Sequence, residues 1–165
     1  MPESEKLGWK EKYAALIILM VGLFYLFLQI TNLLSSKAPK LDVTTEKLVI
    51  SRAELISDLK TWVYVLLGLG GGILLLLRKQ LGWIFSITLL VQLLIIFTGV
   101  VIDNAAIGLN ALLLFFIGFS ALILLSALVF LLLPAARTKY KVSRKTILPT
   151  LVFLTLTVLM FFFLK

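Results

Sequence analysis

The chain has 165 residues, of which 61% are hydrophobic, and its 16 basic residues outnumber its 8 acidic ones. It contains neither cysteine nor histidine, which excludes disulfides, thiolate nucleophiles, thiolate metal sites and histidine-ligated haem. We attribute the net charge of +8 to membrane orientation rather than to a nucleic-acid surface, and no cofactor is expected.

Five continuous apolar runs follow one another along the chain. A helix needs about 20 mostly apolar residues to cross about 30 Å of hydrocarbon, and each run meets that length, the last one narrowly. Barrel strands instead alternate apolar and polar residues. The runs therefore predict an all-α, polytopic transmembrane helix bundle that forms a single integral membrane domain, residues 1–165. The predicted spans cover residues 13–34, 60–77, 82–102, 107–133 and 147–164.

The first run is predicted to be an uncleaved signal-anchor helix. Its apolar stretch of about 22 residues exceeds the roughly 7–15 of a signal-peptide core. Trp9 and Tyr13 precede it at the position where aromatic rings settle on a membrane surface. The following segment, 35–59, is then the one sizeable stretch outside the hydrocarbon, with residues 47–50 as a candidate extended stretch.

A helix is predicted to start just before the second span. Ser51 and Glu54 have the spacing of a capping box, and no helix breaker follows before Leu77. One helix should therefore run from Arg52 to Leu77, with its first two turns projecting beyond the hydrocarbon. The apolar side chains on one side of those turns are candidates for docking a partner: Leu55, Ile56 and Leu59.

Two features inside the spans predict contacts between helices. Gly68 and Gly72 have the small-xxx-small spacing that lets helix backbones approach closely. We favour packing against another helix of the same chain, with a homodimer seam or a ligand-facing backbone as alternatives. Gln92, at the centre of the third run, should hydrogen-bond another helix and contribute about 0.6–2 kcal/mol. Contact with a substrate is the alternative for this glutamine.

The third and fourth runs are predicted to meet at a turn at Asp103-Asn104. Asp103 is a candidate N-cap of the next helix, with a functional role at the membrane surface as the alternative. The fourth run exceeds the length of a span, so it should tilt or begin near Asn110. Pro134 ends it, and the fifth span is predicted to start with Pro149 in its first turn.

Residues 135–146 are predicted to form a basic loop. Its five cations have no acidic neighbour, and near a membrane surface each would attract anionic headgroups by about 1 kcal/mol. The alternative is that they serve orientation alone. The candidate anionic-lipid contacts are Arg137, Lys139, Lys141, Arg144 and Lys145.

The distribution of basic residues predicts the orientation. Most of the 16 Lys and Arg residues fall in the N-terminal head, the 78–79 turn and the 135–146 loop, which share one side of a five-span bundle. Lys and Arg accumulate on the cytoplasmic side of membrane proteins. We therefore expect a cytoplasmic N-terminus, a C-terminus outside, and residence in the plasma membrane, most simply a bacterial inner membrane.

Little in the sequence indicates chemistry. No predicted span carries a central ionisable residue of the kind that builds proton relays and ion pathways. We therefore expect a non-catalytic accessory, assembly or scaffolding subunit, whose partners are lipid and either a membrane protein or further copies of itself. The alternative is a small oligomeric transporter or channel for an uncharged or lipidic substrate. An enzyme acting on lipids is disfavoured.

Overall fold

The protein is seen in a computed structural model that describes residues 8–35, 52–105 and 111–163. Every secondary-structure element within those ranges is helical, as predicted. The elements are α1 (Trp9–Ser35), α2 (Arg52–Val65), a π-helical turn (Leu66–Gly70), α3 (Gly71–Leu76), α4 (Gln80–Ala105), α5 (Ala111–Leu132), α6 (Pro134–Lys139) and α7 (Arg144–Phe163).

Five helical stretches in this part of the chain are long and apolar enough to cross a membrane, which confirms the predicted number of candidate spans. Each stays above the roughly 17 residues that a spanning helix needs. They cover Trp9–Leu34, Ile56–Leu76, Gln80–Ile102, Leu112–Leu132 and Lys145–Phe162.

Successive long helices run in opposite directions, which gives the bundle two distinct ends. We call one the basic end: it holds the starts of α1, α4 and α7, the ends of α3 and α5, and α6, and contacts such as Glu11 with Lys139 bring these termini together. We call the other the open end: it holds the end of α1, the start of α2, the end of α4, the start of α5 and the end of α7. Gln29 of α1 contacts Asp58 of α2 there.

The core lies between α1, the α2–α3 helix and α4. The central helix α4 packs against α3, the π turn, α5 and α7, whereas α1 packs against α2, the π turn, α3 and α5. In an 18-residue window of the Gln80–Ile102 stretch 44% of residues are buried by protein, against 11% in such a window of Leu112–Leu132. The outer helices α5 and α7 therefore expose most of their apolar surface.

The chain is helical without a break from Arg52 to Leu76, as predicted, but it differs from a simple α-helix by the π turn at its glycines. Two local predictions are wrong. The chain does not turn at Asp103, because α4 continues as a helix to Ala105, so Asp103 does not cap the next helix. Pro149 does not lie in a first turn, because α7 already begins at Arg144, where the Ser143 carbonyl accepts the first helical hydrogen bonds.

The predicted basic loop is partly helical, which is a fourth difference. Pro134 begins α6 at a position where its missing N–H costs nothing, after Leu133 in an extended conformation. The turn that follows places Lys141 at a positive φ of 52° before α7 begins. The proposed extended stretch 47–50 and the capping residue Ser51 lie outside the described residues.

Candidate functional site

A close backbone approach between helices lies at Gly68, where the π turn crosses α1. A Cβ on Gly68 would lie 2.7 Å from the backbone nitrogen of Gly22, and one on Gly22 would lie 2.7 Å from the carbonyl carbon of Gly68. Real Cβ atoms do not come that close to backbone atoms, so both positions require glycine. The two helices are therefore in direct backbone contact, the geometry that small residues allow in membranes.

Neighbouring glycines extend this contact on both faces of the second span. Gly72 faces α1, where a Cβ would collide with the side chain of Leu19 at 2.7 Å. Gly71 faces α4, where a Cβ would come within 3.1 Å of the Ser86 hydroxyl. On α4, Gly82 lies equally close to α3, and its Cβ would fall 2.8 Å from the Cβ of Leu74.

Gln92 joins three helices in the interior. Its side chain is 1% exposed, and its amide nitrogen donates to the Tyr64 hydroxyl of α2 at 2.9 Å and to the Thr157 carbonyl of α7 at 3.1 Å. Tyr64 in turn stacks on Tyr25 of α1, with ring centroids 4.8 Å apart. The glutamine therefore ties α4 to α2 and α7, and through the tyrosines the link reaches α1.

Polar side chains also line the contact between α4 and α7 nearer the basic end. The Gln80 amide donates to the Thr146 hydroxyl, which also accepts the Ser143 N–H at 3.1 Å. Thr150, one turn further along α7, is buried and donates to the Thr146 carbonyl at 2.8 Å. This row of hydroxyls on α7 ends at Thr157, beside Gln92.

Four buried polar atoms in the described part of the chain have no hydrogen-bond partner: Gln29 Oε1, Ser86 Oγ, Thr88 Oγ1 and Gln92 Oε1. Both amide nitrogens of these glutamines are paired, so each carbonyl oxygen is the remaining acceptor. Thr88 and Gln92 are one turn apart on α4 and share a face. Neither Thr88 nor Gln92 lines the two grooves that flank α4.

At the open end, α1, α2 and α7 are joined by a second set of polar contacts. Gln29 donates to Asp58 at 3.2 Å. Lys60 donates to the Phe161 carbonyl at 3.1 Å, and its ammonium lies 5.3 Å from the centroid of the Phe161 ring. These contacts connect the first turns of α2 to the end of α7.

At the basic end, a salt bridge secures α6 against α1. Lys139 Nζ lies 2.9 Å from Glu11 Oε1 and donates to Oε2 at 3.0 Å, while the side chain of Glu11 is only 5% exposed. The Gly8 N–H donates to the same carboxylate at 2.7 Å. A buried carboxylate needs such partners, because an unpaired charge is costly to bury. Lys139 is therefore an internal contact rather than a surface cation.

The other basic candidates point outward. Arg137, Lys141 and Lys145 are exposed, while the side chain of Arg144 lies outside those that the structure describes. Tyr140, between them, is buried and donates to the Leu75 carbonyl at 3.3 Å. Burial raises the pKa of Tyr140 to about 12, the negative charge of Glu11 adds to the rise, and Arg78 opposes it.

The candidate docking residues begin the second span. Ile56 is partly buried and Leu59 is 50% exposed, while the side chain of Leu55 lies outside those that the structure describes. Trp62, one turn further on, is 48% exposed. Leu59 and Trp62 therefore form an apolar surface at the start of α2 that none of the described helices covers.

Part of this arrangement was not anticipated from the sequence. Gly22, Tyr64 and Thr157 were not singled out, because single residues do not reveal which other helix they face. The α7 row was detectable: Thr146, Thr150 and Thr157 are spaced by four and seven residues and so share one helix face.

The described residues place most of their buried polar side chains at contacts between helices. They contain no group of three His, Cys, Asp or Glu side chains that could hold a metal ion. Their buried polar groups mostly connect helices to one another. Comparison of the chain with models of protein families, with curated proteins and with solved structures finds no match in any of the three.

Proposed function

We propose that the chain is a multi-pass integral membrane protein of the plasma membrane, with its N-terminus and basic end in the cytoplasm and its C-terminus outside. Five apolar helices of spanning length support the crossing. The clustering of exposed cations at one end supports the orientation, since Lys and Arg favour the cytoplasmic side.

Paired reporter fusions test the orientation. A reporter that is active only in the cytoplasm should be active when it is inserted at Lys79, in the turn between α3 and α4. A reporter that is active only outside should be active when it is fused at Lys165. Two reporters on the same side would contradict five crossings, and a reversed pair would contradict the proposed orientation.

Within the membrane we propose a non-catalytic accessory, assembly or scaffolding role. One observation carries it: the buried amide of Gln92 hydrogen-bonds two other helices of the chain, whereas an apolar surface at Leu59 and Trp62, at the start of α2, is left uncovered by the described helices. This surface lies in the first two turns of the Ile56–Leu76 stretch, and an uncovered apolar patch at the end of a span is suited to contact with another membrane protein.

Site-specific photo-crosslinking tests this role. A photoreactive amino acid at Leu59 should give one adduct of defined mass with a membrane protein. The matched control is Leu148 of α7, which is 68% exposed and should give lipid adducts only. The same adduct from both positions, or none from Leu59, would contradict a specific docking surface.

The basic end is proposed to bind anionic lipid headgroups through Arg137, Lys141 and Lys145, and Arg144 is a further candidate from the sequence. Lys139 is left out of the test because it neutralises buried Glu11. The variant R137Q/K141Q/K145Q should retain less phosphatidylglycerol after purification, whereas the charge-conserving variant R137K/K141R/K145R should retain the normal amount. Equal retention by both variants would contradict headgroup binding.

The alternative function is a small oligomeric transporter or channel for an uncharged or lipidic substrate. Apolar grooves that open sideways along α4 favour a lipidic substrate over a polar one. Movement of a fluorescent phospholipid between the leaflets of reconstituted vesicles would support this alternative, and would count against the accessory role if it required no second protein.

A further inference from the structure

Two shallow grooves flank α4 toward the open end and meet on one of its faces. One, of about 470 Å³, lies toward Leu128 of α5 and Phe162 of α7; the other, of about 350 Å³, lies between α4 and the first half of α5. Both are lined by Leu94, Thr98 and Ile102, which follow one another at four-residue intervals. They thus form a single apolar feature, the α4 groove.

The lining of the α4 groove is suited to hydrocarbon. Its polar side chain is Thr98, and that hydroxyl already donates to the Leu94 carbonyl at 2.8 Å. No lining side chain therefore offers a free hydrogen-bond donor to a polar ligand. Glycines keep the groove open on both sides, because a Cβ on Gly99 or on Gly118 would meet no atom within 4 Å.

The length of the α4 groove distinguishes a lipid chain from a protein helix. It follows α4 from Val91 to Ile102, about 17 Å at 1.5 Å per residue. This is close to half of the roughly 30 Å hydrocarbon thickness, that is, one leaflet. The other half of α4 is covered: Trp83 donates to the Leu131 carbonyl at 2.9 Å, and Phe85 packs on Phe153. A spanning partner helix would therefore meet a groove along only half its length.

We propose that the α4 groove holds the acyl chain of a phospholipid from the leaflet at the open end. The chain would lie along Leu94, Thr98 and Ile102, with its headgroup beyond Ile102. The proposal rests on membrane insertion, which belongs to the proposed function, but not on the accessory role. Failure of lipid binding would leave the crosslink at Leu59 and the reporter results unchanged.

Lipid retention by filled variants tests the proposal. The protein is taken from nanodiscs of phosphatidylethanolamine and phosphatidylglycerol, and native mass spectrometry follows the lipids that remain as detergent removes the annular ones. Wild type should keep one phospholipid, and G99L/G118L, which fills both sides of the groove, should lose it. The control L122F/L148F enlarges two exposed side chains outside the groove and should retain the lipid.

A second measurement uses the unmodified chain, so it does not depend on folding of the variant. A phospholipid with a photoreactive acyl chain is incorporated, annular lipid is removed, and the retained adducts are mapped. Adducts on residues 91–102 are expected. Equal retention by G99L/G118L, no retained lipid in wild type, adducts confined to other segments, or a second protein copy in place of the lipid would each overturn the proposal.

Discussion

At the basic end, side chains from α1, α4, α6 and α7 form hydrogen bonds across the bundle, whereas toward the open end α4 is flanked by grooves. At the basic end the Trp83 side chain donates to a carbonyl of α5, and the Gln80 side chain donates to Thr146 of α7. Lys139 forms its salt bridge with Glu11 of α1. The side chains of Leu94 and Ile102 instead border open space. In hydrocarbon the hydrophobic effect does not drive helices together, so hydrogen bonds and close packing decide where an interface closes.

The largest expected effect comes from removing the glycine contact that holds the core together. G68L should destabilise the bundle by about 3 kcal/mol or more, at the upper end for overpacking, because the added side chain meets the backbone of Gly22 and not a movable side chain. G118L should leave stability unchanged, because a Cβ there meets open space. Denaturation of the purified variants by SDS measures both. Equal stability of the two variants would show that the α1 contact is not tight.

The salt bridge at the basic end should give the next largest effect. K139M leaves the buried Glu11 carboxylate with the Gly8 N–H but without its cation, and should cost about 1–3 kcal/mol, the range for a buried group that loses its partner. K145M removes an exposed lysine and should cost much less. The pair is compared by thermal unfolding in detergent. An equal loss of stability in K145M and K139M would contradict a stabilising role of the ion pair between Lys139 and Glu11.

Gln92 should contribute less to the stability of the bundle than the salt bridge does, and it should share that contribution with Tyr64. Q92L should cost about 0.6–2 kcal/mol, because interhelical hydrogen bonds in membranes are worth little more than in water. Y64F removes the hydroxyl partner but keeps the Thr157 contact. A double-mutant cycle of the two should give a coupling energy of about 0.5 kcal/mol or more, as expected for residues in one network. Strict additivity would mean that the hydrogen bond between them contributes nothing.

The smallest effect at ordinary pH concerns Tyr140. Its pKa is raised to about 12 from 10.0, so the folded state binds the phenol proton more tightly than the unfolded chain. This contribution to stability should be complete below pH 10 and be lost as the pH rises from 10 toward 12. Unfolding followed against pH in wild type and Y140F measures it. A wild-type decline no steeper than that of Y140F would contradict the assignment.

The helices of this protein could be predicted from its sequence, whereas most contacts between the helices could not. The five apolar runs predicted the helices, because the length needed to cross hydrocarbon is a local property. The π turn at Gly68 was not predicted, since it lies where two helices cross and the partner, Gly22, is 46 positions away in the chain. The polar partners of Gln92 and the α4 groove likewise depend on how α5 and α7 lie against α4. The residues of one apolar run do not reveal that arrangement.

The accessory role is tested most directly by the native mass of the protein purified in mild detergent. We expect one membrane-protein partner at fixed stoichiometry, lost in L59N and retained in L148N, where an equally apolar exposed side chain is changed far from the start of α2. A lone monomer with bound lipid, a homo-oligomer, or a partner that survives in L59N would contradict it.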